Sequence, residues 1–183
     1  MKNKNIFNLA LIAMLFIQCQ KADKDFLITK DTVGKVSRTT KVSDLETLFK
    51  KDSVVLDTNV SKLTSAQEKI RVFEKGGVHL LTLTPNTDSI PTIENIRIFD
   101  PRFVSDKGVG LQSTFKDIKD NYTIDKIVTS MNNVVIFLSD SDIYFTIDKE
   151  ELPESLRYAY AGDIEAVQIP DAAKIKYVMI GWD

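Results

Sequence analysis

Cysteine, histidine and tryptophan each occur once in this chain of 183 residues, as Cys19, His79 and Trp182. A lone histidine excludes a histidine-based catalytic triad and any multi-histidine metal site within one chain. A lone cysteine excludes an internal disulfide, so the domain must be held by packing. Charge is nearly balanced, 24 basic against 26 acidic residues. The clustered Lys and Arg that phosphate contacts require are missing, and no nucleic-acid partner is expected. Gly108-Val109-Gly110 lacks the third glycine of a dinucleotide fingerprint, and no other motif for a cofactor or metal is found. No apolar run reaches the roughly 20 residues of a bilayer-spanning helix.

What is present begins with the leader. Lys2 and Lys4 precede an apolar stretch from Ile6 to Ile17, interrupted only by Asn8, and polar residues start at Gln18. This is a secretory signal pattern, so residues 1–18 are expected to be removed. Residues 19–25 then form a polar tether, and 26–183 are enough chain for a single domain.

The tetrapeptide Phe16-Ile17-Gln18-Cys19 resembles the lipobox of bacterial lipoproteins, with Phe16 and Gln18 standing where that family prefers Leu and a small residue. The resemblance implies that Cys19 is acylated and becomes the mature N-terminus, anchoring the domain to a membrane of the cell envelope. Gln20 occupies the position where an aspartate retains such proteins in the inner membrane, which implies outer-membrane sorting. Two acyl chains suffice for stable attachment, since each buried methylene contributes about 0.8 kcal/mol.

The domain itself reads as α+β, with antiparallel β-meanders and three short helices. Alternating Ile70-Arg71-Val72-Phe73, then Gly76-Gly77, then Val78 to Thr84 predicts a hairpin. His79 is placed near its rim, on the face of Leu81 and Leu83. Further strands are expected around Val54–Leu56, Ile93–Phe99, Ile124–Val128, Val134–Leu138 and Ile143–Ile147. Ile164–Ile169 and Ile175–Trp182 read as the last pieces. Ser43 with Glu46 forms a capping-box pattern for a helix over 44–51. Ser113 or Thr114 is expected to cap a second helix carrying Phe115, Ile118 and Tyr122 on one stripe, and Pro153 opens a third, over 154–161.

The order glycine, capped helix, strand, hairpin occurs twice, suggesting halves at 26–104 and 105–183. At an offset of about 70, Leu45 aligns with Phe115 and Leu48 with Ile118. This order resembles the tandem fold of β-lactamase-inhibitor proteins and of a small lipoprotein of the outer-membrane assembly machinery.

Three groups of residues remain as candidate chemistry. Asp140, Asp142, Asp148 and Glu150 form the only local carboxylate cluster, which turn chemistry explains and which a carboxylate hydrolase would need to converge with one pKa raised. Ser113 and Thr114 at a helix start are a candidate anion site. Tyr158, Tyr160 and Trp182 read either as an aromatic recognition patch or as core edges. The sequence therefore points to an envelope protein that binds another protein or an envelope component, with the hydrolase and a small-ligand or inhibitor module as alternatives.

Overall fold

The computed structural model describes residues 23–57, 68–157 and 164–182. Cys19, the leader, Tyr158 and Tyr160 lie outside them. The fold is α+β: twelve strands in two sheets, with three short α-helices among the described residues. In chain order these are β1 (Leu27–Ile28), β2 (Thr32–Val33), β3 (Val36–Ser37), α1 (Leu45–Leu48), β4 (Ser53–Asp57), β5 (Lys69–Phe73), β6 (His79–Pro85) and β7 (Ile93–Ile98). Then come β8 (Val104–Ser105), α2 (Phe115–Asn121), β9 (Ile124–Thr129), β10 (Asn133–Leu138), β11 (Ile143–Asp148), α3 (Glu154–Arg157) and β12 (Ile175–Gly181).

The larger sheet has eight strands in the order β4-β5-β6-β7-β12-β11-β10-β9, and every pairing in it is antiparallel. It consists of two meanders of four strands joined through their last strands, with Ile96 opposite Ile180. Because side chains alternate between faces, one register row shows what each face does. Ile70, Leu83, Ile96, Ile180 and Ile143 stand opposite one another across β5, β6, β7, β12 and β11. All five are at most 5% exposed. Burial of each contributes about 1.5–3 kcal/mol. This is the core face. The α2 stripe meets it as the sequence predicts: Phe115 and Ile118 are fully buried, and the Tyr122 ring lies 6.1 Å from that of Phe145.

The same local device occurs twice. Asp23 Oδ1 accepts the Asp25 N–H at 3.0 Å while its carbonyl accepts the Phe26 N–H. Asp100 Oδ1 likewise accepts the Arg102 N–H at 2.9 Å while its carbonyl accepts the Phe103 N–H. The two phenylalanines meet edge to face at 5.1 Å, and the strands that follow them, β1 and β8, pair in parallel through Leu27 and Val104. β1 and β8 are part of the small sheet, ordered β3-β2-β1-β8.

Two expectations change. Ser43 lies inside a 3₁₀ turn, Val42–Asp44, and its hydroxyl bonds the Asp44 carboxylate, so α1 is a single turn without a capping box. Ile164 and Ile169 are both buried, but the chain between them is a 3₁₀ turn, Ala166–Gln168, rather than extended. The third helix starts behind Pro153 as expected, and its expected end lies outside the described residues.

Candidate functional site

The other face of the eight-stranded sheet is open along its centre among the described residues. Its central register row runs Val55, Arg71, Thr82, Arg97, Met179, Tyr144, Phe137 and Lys126, one residue from every strand. None of these is buried. The row holds three cations and no anion, in a chain whose formal net charge is −2.

Aromatic rings and cations interleave beside that row. The His79 ring stacks on Phe73 at 4.7 Å and on Phe99 at 3.8 Å. The Arg97 guanidinium lies 4.7 Å from the centre of the Phe99 ring and 3.8 Å from that of Tyr177. Lys176 Nζ lies 5.3 Å from the Tyr177 ring and pairs with Asp148. On the other meander Phe137 stacks on Tyr144 at 5.4 Å with Lys126 over its outer side. Stacking of Arg on aromatic faces fixes the plane of the guanidinium and leaves its N–H edge to recognise planar acceptors.

His79 reaches this face through a bulge. Phe73 opposes His79 while the preceding Val72 opposes Leu81, so one extra residue, Leu80, is accommodated on β6. The bulge turns His79 away from the core side chains Leu81 and Leu83, correcting the placement expected from simple alternation. Its Nε2 lies 3.1 Å from the Leu81 carbonyl and from the Thr82 hydroxyl. Desolvation holds its pKa below the ordinary histidine value, helped by the charges of Arg71 and Arg97 and opposed by the Leu81 carbonyl. The ring is therefore neutral at pH 7.

The four carboxylates do not come together. Asp140 and Asp142 lie at one end of β11, Asp148 and Glu150 at the other, and a strand of this length separates its ends by about 17 Å. Asp140 pairs with Lys107 at 3.4 Å and Asp142 with Arg38. Asp148 pairs with Lys176 at 2.6 Å, and it also accepts the Glu150 N–H. The Lys176 hydrogen bond is the main reason the Asp148 carboxyl sits below the usual carboxylate range, opposite to what a general acid needs. No group of three or more potential metal ligands occurs among the described residues.

Ser113 and Thr114 are also engaged within the chain. Asp117 Oδ2 accepts both the Thr114 N–H at 2.7 Å and the Thr114 hydroxyl, and Ser113 Oγ accepts the Gly110 N–H. The next two helix donors, Phe115 N–H and Lys116 N–H, go to the carbonyls of Ala173 and Asp171. An anion would have to displace a carboxylate already in place. Trp182 is buried, with its backbone N–H on the Glu94 carbonyl at 2.7 Å, so it serves the core.

Sequence reasoning missed the open face as a site. Its separate pieces are ordinary: a strand arginine, a strand-end phenylalanine and a tyrosine near the C-terminus. Only the β7·β12 junction brings them together.

The architecture thus defines an α+β protein built on two joined antiparallel meanders, with one sheet face uncovered along its centre among the described residues. No family model matches the chain, and no curated protein matches it. Among solved structures it is similar in fold to the uncharacterized protein yfeY from Escherichia coli. That likeness has a TM-score of 0.55 at 15% identity and covers 85% of this chain and 99% of that one.

Proposed function

We propose that this chain is a lipid-anchored protein of the cell envelope, held at the outer membrane through Cys19, that works by docking another protein on the open face of its eight-stranded sheet. The observation that carries the reading is the central row of that face, which crosses all eight strands without a buried residue and mixes cations with half-buried aromatics. Aromatic residues and arginine are the side chains that dominate binding energy at protein interfaces.

The anchor and the face are compatible in geometry. The stretch from Cys19 to Asp23 reaches at most roughly 14 Å when extended. Beyond it, Phe26 is clamped by Arg102 at 4.1 Å, and Arg102 forks onto the carboxylate of Glu74, next to Phe73. On this reading, the end of the open face carrying Phe73, His79 and Phe99 is the one the short tether would hold toward the membrane.

Crosslinking in intact cells tests the reading. Wild type should yield a defined protein adduct and incorporate labelled fatty acid, while Cys19→Ser should lose the label and most of the adduct. Acyl labelling that persists in Cys19→Ser contradicts the anchor. Specific turnover by the purified domain, abolished by one carboxylate substitution, contradicts the binding role.

A further inference from the structure

Arginines in this domain are otherwise provided for. Arg38 pairs with Asp31 and Asp142, and Arg102 with Asp100 and Glu74. Arg157 donates from Nε to the Leu152 carbonyl, and Arg71 also has a partner. Arg97 is the exception. Among the described residues it makes no hydrogen bond and no ion pair, and its Nε, like that of Arg71, is buried without an acceptor. Its only contacts of this kind are the two rings that stack on it, Phe99 and Tyr177.

Leaving a buried donor unsatisfied is destabilising, more so when the group is charged. The stacked rings also restrict the guanidinium to one plane, so little side-chain entropy is lost when an acceptor arrives. The surroundings repeat the preference for an anion. Arg71 stands in the same row, separated from Arg97 only by Thr82, and Lys126 closes the row at its far end.

We infer that Arg97 is the central contact of the open face and receives the carboxylate of an aspartate or glutamate side chain on an acidic segment of the docked protein, with Phe99 and Tyr177 as its walls. The inference rests on the docking role proposed above and names the chemistry of the partner. A bidentate arginine–carboxylate pair suits this setting because both partners become desolvated between aromatic walls. Asp148, at the rim of this face, is already paired with Lys176.

The test uses the full-length chain in cells with a photo-crosslinking amino acid at Thr82, between the two arginines, and in a second strain at Val135 on the other meander. Each is combined with wild-type Arg97, Arg97→Lys and Arg97→Glu, and folding is checked by thermal melting of the purified proteins. The expected result is an adduct at both positions whose crosslinked peptide at Thr82 contains Asp or Glu. Its yield should fall about tenfold or more in Arg97→Glu, as when one partner of a desolvated charge pair is removed, and less in Arg97→Lys. An adduct that is indifferent to Arg97→Glu, or whose peptide at Thr82 carries no acidic residue, overturns the role of Arg97 but leaves docking on this face standing. Absence of any protein adduct at both positions overturns both readings. Should Arg97→Glu fail to fold, Arg97→Lys decides the matter, because it keeps the charge but not the planar fork, and an undiminished adduct at Thr82 in it overturns the role of Arg97.

Discussion

Asn95 on β7 and Tyr144 on β11 are hydrogen-bonded across the strand that lies between them, the amide Nδ2 donating to the phenolic oxygen at 2.7 Å. They meet because the intervening β12 residue is Gly181, opposite Asn95. A Cβ built there would lie 3.6 Å from the Tyr144 ring and 3.8 Å from the Asn95 amide. This bridge ties the two meanders together on the open face, where β7 and β12 join. It also holds Tyr144 in the row that contains Arg97.

Tyr144→Phe should therefore lower stability by about 1 kcal/mol, the net worth of one such hydrogen bond. Gly181→Ala should be tolerated, since the added methyl makes ordinary van der Waals contacts, whereas Gly181→Leu should break the bridge. Urea denaturation of the three variants checks the order.

The glycines that matter for folding are the ones approached by backbone. A Cβ on Gly110 would lie 2.5 Å from the Phe103 carbonyl oxygen, while Gly76, at the hairpin tip, has nothing within 4 Å. Gly110→Ala should cost about 1–3 kcal/mol through overpacking. Gly76→Ala should be penalised only for its positive φ of 113°. Thermal melts should rank Gly110→Ala as the more damaging of the two.

Arg102 holds the start of the domain to the β5–β6 hairpin through Asp100, Glu74 and Phe26. The Asp100 side chain is only 4% exposed, so Arg102→Ala leaves a nearly buried carboxylate with its main partner gone. A loss of about 1.5–3 kcal/mol is expected. The Arg102 hydrogen bond also holds the Asp100 carboxyl below the usual range. This contribution is complete above about pH 4 and is lost as the pH falls through the depressed folded value, so Arg102→Ala should flatten the acid limb of the stability profile.

His79 gives a second, separate pH dependence. Desolvation first, then Arg71 on β5 and Arg97 on β7, depress its folded pKa, while the Leu81 carbonyl works against them. The unfolded chain therefore binds the proton more readily than the folded one. The contribution of the neutral ring is full above about pH 6.5 and declines as the pH falls from there toward the folded pKa. Stability measured from pH 7.5 to 5 should fall in wild type and fall less in His79→Phe.

Much of this fold was legible because its strands are half-buried. Ile70 and Val72 alternate with Arg71 and Phe73, and that alternation survives in the structure as core face and open face. Gly76 and Gly77 both take positive φ, as the hairpin required. The second helix starts at Thr114, with Phe115 and Ile118 inward. The rest depended on information that periodicity does not hold. The β6 bulge inverts His79 relative to Leu81, and a bulge leaves no mark in a pattern of apolar residues. Ser43 had a suitable neighbour in Glu46, but the 3₁₀ turn around it removed the geometry of a cap. The four carboxylates looked like a cluster because they are close in sequence, and a strand between them keeps the pairs apart. Arg97 could not be singled out, because Phe99 is near it in sequence whereas Tyr177 arrives only through strand order.

The docking role of the open face is tested most directly by thiol footprinting in intact cells. The native chain has one cysteine, Cys19, so single cysteines introduced elsewhere can be read against it. Thr82→Cys, Met179→Cys and Lys126→Cys report on the open face, and Glu46→Cys and Lys116→Cys report on the helices. The account predicts that labelling at the three sheet positions is slower in cells than in the purified protein, while the two helix positions label equally in both. Protection confined to Glu46→Cys and Lys116→Cys, with the sheet positions unchanged, would contradict it.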